Sequence, residues 1–268
     1  MRRWGGKLPK SPRHGRWALD SGGFEHVRKN GGWVLEPETY VRHTLAFDRQ
    51  VGNMAWAAPM DWMCEQDALA ATGLTVREHQ ALTVANLPVL ERIWYDHTDD
   101  ESPFALVLQG DPDLDGDAMV ASFMDCWDMY VAAGIDPADR PFVGVGSVCR
   151  QKNTEKIGAL LEAIRERGDR EGYEQLAVHL FGAASAAIVK YSHLFTSCDS
   201  QSWSRWARWD RIKWDGCTAD HPDCRNCLAW AQAWRAQTLA NAGQRDDYDD
   251  RGLLQYPWWP RREWPDAA

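Results

Sequence analysis

Carboxylates, amides and glycines recur along this sequence directly after short apolar runs. Asp20 follows the run Trp17–Leu19 and opens the segment DSGGF, and Asp199 follows the run His193–Ser197. Two carboxylates in one pocket can act as a nucleophile and as a general acid/base. DSGG by itself is more typical of a strand-to-helix turn capped by Asp or Ser, so the prediction depends on how often the pattern returns.

The pattern returns after four further runs. Asp61 follows the second run, Gln109 and Gly110 end the third, Gly144–Ser147 end the fourth, and Phe181 ends the fifth. In barrel enzymes the carboxyl ends of the parallel strands carry the active site, because all of them meet at one mouth. The recurrence therefore predicts a ligand site built from successive strands.

The apolar runs are candidate strands: Trp17–Leu19, Met54–Pro59, Phe104–Gln109, Pro141–Ser147, Ala177–Phe181 and His193–Ser197. They alternate with segments of helical periodicity: Pro37–Val51, Thr75–Trp94, Gly116–Ala133, Thr154–Arg167 and Ala183–Tyr191. Thr75 and Glu78 have capping-box spacing, and Gly134 and Gly168 suit the left-handed residue after a helix. The alternation predicts a parallel α/β sheet, either a barrel or doubly wound. About six strand–helix units can be counted, against the eight of a closed (β/α)8 barrel.

A cluster of cysteines forms the second candidate site. Cys217, His221, Cys224 and Cys227 place three thiols and one imidazole within 11 residues. This ligand set suits structural tetrahedral zinc, and no histidine follows His221 to serve in its place. A non-histidine fourth ligand, or no metal, remains the alternative. The other cysteines, Cys64, Cys126, Cys149 and Cys198, are scattered and are expected to be packed thiols.

Residues 201–214 interleave tryptophans with cations. Such a strip can stack bases and neutralise phosphates, which makes Arg205, Arg208, Arg211 and Lys213 candidate nucleic-acid contacts. Tryptophans at i, i+3 and i+6 are equally typical of the packed face of a helix. The sequence leaves both interpretations open.

Composition narrows the class of protein. The chain has 268 residues, 16 of them Trp, and a net charge of −9, which argues against coating nucleic acid by bulk charge. The first 16 residues carry six Lys or Arg and no acid, so they could follow phosphate locally or be a solvated tail. No apolar run is long enough to span a bilayer, and no secretory signal is recognisable. Seven cysteines without an export signal indicate a reducing cytoplasm.

The ordered segments DSGGF, MDWMCE, LVLQG, VGVGSVCR, HLFG and CDSQSW resemble the tRNA-guanine transglycosylase superfamily over roughly residues 17–235. GSVCR and the NCLxxAxxWR ending look closer to a phage and actinobacterial branch, some members of which insert 7-deazaguanines into DNA. The resemblance implies a (β/α)8 TIM-type barrel with a C-terminal segment that binds structural Zn²⁺. Relatives carry a further strand–helix unit before DSGGF, so we expect this barrel to be incomplete at its N-terminal side. Either the tail or a partner would then close it, or the chain starts late relative to its relatives. Expected protein partners are a partner subunit or a second copy of the chain.

The resemblance also implies roles for individual residues. Asp199 aligns with the nucleophile that attacks C1′ of the nucleotide, and Asp20 aligns with the general acid/base. Phe24 and Phe181 align with residues that sandwich the heterocycle. Asp61 and Gln109 would read its polar edge. The expected base pocket is completed by Ser21, Gly110, Gly144, Val145 and Gly146, with backbone N–H groups near the last three holding the exocyclic oxygen.

The resulting prediction is exchange of guanine for a 7-deazaguanine in DNA. The same exchange in tRNA and a catalytically inactive partner subunit are the alternatives, whereas the closed cysteine cluster disfavours a zinc hydrolase. Arg150 stands where relatives have a glutamate that accepts an aminomethyl base, which favours a different 7-substituent such as the nitrile. The expected location is the cytoplasm, that of a bacterial host if a phage encodes the chain.

The predicted organisation has four parts. Residues 1–16 form a basic arm and residues 17–214 the catalytic barrel. Residues 215–243 form the zinc-binding segment with a helix, and residues 244–268 a tail rich in Pro and Trp.

Overall fold

The computed structural model describes residues 15–137, 140, 142–149, 151, 153–173 and 176–242. Nearly all of the predicted basic arm, all of the predicted tail and Arg150 lie outside this part of the chain. The predictions made for them are therefore not addressed by the structure.

Six short parallel strands form the centre of the described fold. They are β1 Trp17–Leu19, β2 Met54–Ala57, β3 Leu106–Leu108, β4 Val143–Val145, β5 Val178–Leu180 and β6 Ser197–Cys198. β1 pairs with β2, and β3 to β6 pair in chain order. A parallel bridge from Ala57 to Phe104 joins the two sets, so all six strands follow one another in sequence order. The predicted alternation of strands and helices in a parallel sheet is confirmed.

The described strands do not show a closed eight-stranded barrel. Within the described ranges, no pairing joins β6 back to β1. The arrangement is nevertheless curved, because Trp56 of β2 contacts the ring of His179 of β5, with ring centroids 4.8 Å apart. The sixth strand also begins later than predicted. The backbone N–H of Leu194 bonds to Tyr191, so His193 and Leu194 continue the turn after the preceding helix.

Helices flank the strands on their outer side. Their bounds are α1 Gly23–Asn30, α2 Pro37–Val51, α3 Gln66–Thr72, α4 Val76–Tyr95, α5 Gly116–Ala132, α6 Thr154–Arg170, α7 Ser185–Tyr191, α8 Ser202–Trp209 and α9 Leu228–Asn241. The five predicted helices are confirmed to within three residues, and Thr75 and Glu78 form the predicted capping box. Two further helices, α1 and α3, have only 8 and 7 residues and were not predicted. None of the helices in the described ranges combines the length and hydrophobicity of a membrane span.

The two glycine markers had different outcomes. Gly134 adopts a φ of 75° directly after the end of α5, as predicted. Gly168 was wrong as a helix terminator, since α6 continues to Arg170 and buries Gly168. Gly172, with a φ of 90°, takes the left-handed position instead.

Side-chain parity divides the sheet into two faces. Leu106, Leu108, Val143, Val145 and Leu180 pack with the helices in the main hydrophobic core. Residues of the opposite parity line the interior, because successive side chains on a strand point to opposite faces. The interior residues are small along much of β3 to β5 (Ala105, Val107, Gly144 and Ala177) and surround the rings of Trp56, Phe142, His179 and Phe181. The interior is thus packed, and the same parity continues into the residues at the mouth.

Candidate active site

The loop that carries Asp61 is fixed by side chains from its surroundings. The hydroxyl of the buried Tyr40 donates to the carbonyl of Ala58 at 2.6 Å. Asn86 donates to the carbonyl of Met60 at 2.7 Å, and Trp33 donates to that of Asp61 at 3.0 Å. Because three consecutive parts of the loop are anchored, the position of the Asp61 carboxylate is set by the fold and not by the loop alone.

A chain of polar contacts crosses the mouth from β1 to β4. Ser21 lies 3.4 Å from Asp61 Oδ1, and Gln109 Nε2 donates to Asp61 Oδ2 at 2.7 Å. The hydroxyl of Ser147 in turn donates to Gln109 Oε1 and accepts the backbone N–H of Cys64 at 2.7 Å. Gln109 is fully buried, so each of its amide atoms requires such a partner. The structure therefore brings Ser21, Asp61 and Gln109 into contact with one another.

The Asp61 carboxyl group has a pKa well above that of an ordinary aspartate. Desolvation by burial is the largest cause that raises its pKa, from 3.8 to about 7, and repulsion from Asp20 and Glu65 adds to the increase. Hydrogen bonds from its own backbone and from Ser21 oppose the shift but do not cancel it. A carboxyl group with this pKa changes charge near neutral pH, which is typical of functional sites.

The glycines at the mouth make room for neighbouring side chains. A Cβ on Gly146 would lie 2.5 Å from Gln109 Nε2, and one on Gly144 would lie 2.6 Å from a ring carbon of Phe181. Gly110 leaves space for the ring of Phe123 in the same way. The backbone N–H of Gly146 already donates to Leu108, so it is engaged in the sheet.

Asp199 lies on the other side of the mouth, after β6. Its side chain is 55% exposed, and its Oδ1 accepts the backbone N–H of Gly182 at 2.9 Å. Gly182 has a φ of 63°, and a Cβ there would lie 2.5 Å from that of Cys149, so the position requires glycine. His179 Nε2 lies 3.5 Å from the same Asp199 oxygen. Asp199 is thereby grouped with Phe181, whose ring centroid is 4.7 Å from that of His179.

Asp20 and Phe24 occupy the edge of the mouth near β1. Asp20 is exposed and its Oδ1 accepts the backbone N–H of Gly22 at 3.0 Å, which is the turn that the alternative interpretation of DSGG predicted. Its electrostatic effect on Asp61 places the two carboxylates within interaction range. Phe24 packs in a separate small cluster with Val27 and Met63. No hydrogen bond among the described residues joins Asp20 to Asp199.

Three participants were not identified from the sequence as site residues: Ser147, Trp56 and His179. Ser147 and His179 lie in the quoted segments GVGS and HLFG. Only His179 has the strand parity that points inward. Ser147 has the parity of the core residues Val143 and Val145 and lies beyond the end of β4, where its φ is 52°. Parity could therefore have found His179, whereas the position of Ser147 and the contact of Trp56 with His179, 123 positions apart in the chain, have no local signal.

The cysteine cluster forms a metal centre in outline. The ligand atoms of Cys217, His221, Cys224 and Cys227 all lie within 4.8 Å of one another. Cys217 Sγ is 3.1 Å from His221 Nε2 and 3.4 Å from Cys227 Sγ. His221 Nδ1 is buried and has no hydrogen-bond partner among the described residues. Three thiols and one imidazole at these separations fit a single tetrahedral Zn²⁺.

The centre is tied to the neighbouring helices. Cys227 is the N-cap of α9, and a hydrogen bond from the backbone N–H of Trp230 helps to lower the pKa of its thiol to about 6. Trp214 donates its backbone N–H to Cys224 Sγ at 3.3 Å, and Trp230 donates to the carbonyl of Trp203 in α8 at 3.0 Å. A metal bound here would therefore also hold α8 in place.

The outer surface of α8 exposes both aromatics and cations. Trp206 and Trp209 are 47% and 68% exposed, and the Arg205 guanidinium lies 4.7 Å from the centre of the Trp209 ring. Together with the exposed Arg208 and Arg211 these residues are called the α8 face. Ala207 is the buried residue of the helix, so packing does not account for Trp206 and Trp209. Lys213 differs, because it donates to the carbonyls of Ala219 and His221 in the zinc loop.

A family of proteins matches nearly the whole chain. The family model described as DpdA, DeoxyPurine in DNA protein A, matches residues 1–256. The chain belongs to the DpdA family. The match covers the parallel sheet, the mouth and the cysteine cluster, and the DpdA description refers to DNA, in agreement with the DNA prediction. Neither a curated protein nor a solved structure matches the chain.

Proposed function

We propose that this DpdA-family chain is a transglycosylase that replaces guanine in DNA with a 7-deazaguanine, such as 7-cyano-7-deazaguanine. The observation that carries the proposal is the state of Asp199. One of its oxygens is held by Gly182 N–H at the mouth, and the side chain is exposed next to His179. The Asp61–Gln109 pair lies across the mouth, at the ends of other strands of the same sheet. A fixed, accessible carboxylate at the same sheet edge as a polar recognition network suits covalent exchange of a base.

The proposed reaction has two displacements at C1′. In the first, an Asp199 oxygen forms a bond to C1′ while the bond from C1′ to N9 breaks, and Asp20 supplies the proton that the departing guanine takes up. In the second, Asp20 removes a proton from the 7-deazaguanine, whose N9 then displaces Asp199 from C1′. Asp199 returns as a carboxylate and Asp20 returns protonated, so both groups are regenerated.

Recognition of the base is assigned to the other half of the mouth. An ionised Asp61 accepts hydrogen bonds from the ring N–H and the amino group of guanine, and Gln109 keeps its carboxylate in place. Phe181 and Phe24 cover the two faces of the heterocycle in this proposal. The base must leave the DNA stack to reach Asp61 and Gln109 in the mouth. Binding of the flanking strand therefore has to compensate for the free energy of unpairing and unstacking the base.

The α8 face and the metal centre supply that binding. Exposed indoles can stack on bases and exposed guanidinium groups can neutralise phosphates. A Zn²⁺ held by Cys217, His221, Cys224 and Cys227 would cross-link the segment that carries α8, with no open coordination position for chemistry. Lys213 would stabilise this metal site, because it donates to the carbonyls of Ala219 and His221 between the proposed ligands.

The test is incorporation of labelled guanine or 7-cyano-7-deazaguanine by the zinc-loaded chain into DNA or into tRNA. We expect label in DNA, and a covalent protein–DNA adduct that disappears in Asp199→Asn. Asp169→Asn is the matched control, because Asp169 is an exposed carboxylate on α6. Label in tRNA alone would refute the proposal that DNA is the substrate. An adduct that survives Asp199→Asn would move the nucleophile to another residue.

Two further outcomes of this assay are informative. A folded, zinc-loaded chain that labels neither nucleic acid would refute catalysis and favour the inactive partner subunit. Comparing the exchange rates of 7-cyano and 7-aminomethyl bases tests whether Arg150 favours the nitrile. A preference for the aminomethyl base would reject that proposal.

A further inference from the structure

His179 presents a buried ring nitrogen to the nucleophile carboxylate. The side chain is 4% exposed, and its Nε2 has no hydrogen-bond partner within the described ranges, although Asp199 Oδ1 lies 3.5 Å away. A buried ring nitrogen without a partner is costly, so it requires an explanation. The nearest polar atom is the one that the proposed reaction changes.

The surroundings of His179 fix its orientation, and its polar neighbours suit the tautomer that carries the proton on Nε2. Its ring centroid lies 4.8, 4.7 and 5.7 Å from those of Trp56, Phe181 and Phe142, and these contacts leave little room for rotation. Nδ1 lies 2.8 Å from the hydroxyl of Ser197, which can donate to it. When Nδ1 accepts a hydrogen bond, the neutral ring carries its proton on Nε2, facing the carboxylate.

We infer that His179 is a positioning residue that orients Asp199 for attack, an inference that rests on the proposed function. Both neighbouring donors, Gly182 N–H and His179 Nε2–H, face Oδ1. Oδ2 is therefore the oxygen directed toward C1′. When Oδ2 bonds to C1′ and the C1′–N9 pair leaves with guanine, Oδ1 becomes the ester carbonyl oxygen. The second displacement returns the charge to a carboxylate that His179 again holds, and the ring neither gains nor loses a proton.

The matched variants are His179→Gln and His179→Asn. Both remove the aromatic ring, but only glutamine is long enough to place its amide N–H where Nε2 stood. We expect His179→Asn to lower kcat about tenfold to a hundredfold while KM for DNA and for the base changes less than threefold, since the lost contact acts on the reacting carboxylate. His179→Gln should recover at least a third of the wild-type kcat. His97→Gln, at a half-buried histidine paired with Glu38, is the surface control.

Equal rates for the two variants, or a raised KM at unchanged kcat, would overturn the inference. Thermal unfolding of both variants identifies loss of folding, in which case His179→Phe replaces His179→Asn as the variant without a donor.

Nitrogen NMR of the wild-type chain gives a readout that needs no turnover. The neutral His179 ring should carry its proton on Nε2, and a proton on Nδ1 would overturn the inference. If the wild type exchanges no base but shows the Nε2 tautomer, the proposed function fails while the placement of His179 against Asp199 is retained.

Discussion

The mouth of the sheet and the α8 face use polar side chains in opposite ways. At the mouth, Asp61, Gln109 and Ser147 bond to one another, and Gln109 is fully buried. On the α8 face, Arg205 stacks on Trp209 while Trp206 remains open to solvent. A buried, bonded network suits recognition of one base by its shape and hydrogen-bonding edge. An exposed cationic and aromatic surface suits sequence-independent contact with a strand.

This difference explains how an acidic chain can be a candidate for binding DNA. The net charge of −9 includes the carboxylates of the mouth, which in the proposal contact a base and not phosphate. The cations of α8 are concentrated on one surface. Variants that change one region should therefore alter one step and leave the other intact.

Loss of the metal is expected to have the largest effect, and on DNA affinity alone. Cys224 is fully buried between α8 and α9, so Cys224→Ser or chelation should release the α8 face. Since a stacked base is worth about 1–3 kcal/mol, losing two exposed indoles should weaken DNA binding roughly a hundredfold. Titration of a labelled oligonucleotide beside a zinc assay measures this.

Cys126→Ser is the matched control for metal content, because Cys126 is a buried thiol of the main hydrophobic core. Calorimetry with free base should show an intact mouth in the zinc-free chain. Unchanged DNA affinity without zinc would show that the two regions are not divided as proposed.

Gly146→Ala changes the mouth and leaves the α8 face as it is. The new Cβ would lie 2.5–2.8 Å from the Gln109 amide and must displace it from Asp61. Overpacking costs about 1–3 kcal/mol of stability, and the lost hydrogen bonding should weaken base binding about tenfold. Gly15→Ala is the control, since nothing lies within 4 Å of its Cβ position. Wild-type base affinity in Gly146→Ala would contradict the role of Gln109.

Acidification should weaken base binding through Asp61. Burial raises the pKa of Asp61 to about 7, so the carboxyl group is protonated below this pH and loses its capacity to accept from guanine. Base affinity should then fall about tenfold per pH unit below 7. Asp61→Asn should bind weakly with no such dependence, as measured by calorimetry across pH 5 to 8. A pH-independent wild type would remove Asp61 from recognition.

The same pKa shift affects stability with a definite sign. The pKa of Asp61 in the folded chain is raised above the ordinary 3.8. Between about pH 4 and 7, the Asp61 carboxyl group is therefore protonated in the folded chain and ionised in the unfolded chain. The contribution of Asp61 to the free energy of unfolding is therefore lost as the pH rises through this window. Denaturant unfolding of Asp61→Asn should lack that part of the decline.

Trp209→Ala is expected to have the smallest effect. Losing one exposed stacking surface should weaken DNA binding about fivefold to tenfold, without altering base affinity. Tyr95→Ala removes a comparably exposed aromatic from α4 and should change neither. Arg208→Gln should instead lower the slope of log affinity against log salt by about one. If Tyr95→Ala and Trp209→Ala changed DNA affinity equally, the α8 face would have no specific role in DNA binding.

The sequence predicted the fold best where local physics decides it. Long amphipathic segments such as Pro37–Val51 have enough periodicity to be recognised, and the Thr75 capping box satisfies helix N–H groups within four residues. Short elements carry few periods, so their prediction is uncertain from pattern alone: α1 and α3 were missed, whereas α7, which is as short, was predicted. Gly168 was misassigned because whether a glycine ends a helix depends on packing, and here Leu176 lies against it.

The candidate site shows the same division. The types and order of Asp20, Asp61, Gln109 and Asp199 followed from the sequence, and so did the four residues whose ligand atoms cluster around the metal centre. Strand parity explains why Gln109 and Asp199 face the mouth. Asp61 instead lies beyond the end of β2, where the anchored loop sets its position. The sequence did not reveal which oxygen of Asp199 is held, because Gly182 and His179 come from a neighbouring strand.

The sequence by itself therefore determined which chemical groups are present, their order along the strands and the four residues that could bind a metal ion. Only the tertiary structure decided that Gln109 bridges Asp61 and Ser147, that Trp56 fills the interior against His179, and that Trp206 and Trp209 face outward. The physical reason is range. Caps, periodicity and ligand spacing act within a few residues, whereas burial and hydrogen bonds between strands depend on residues tens of positions apart.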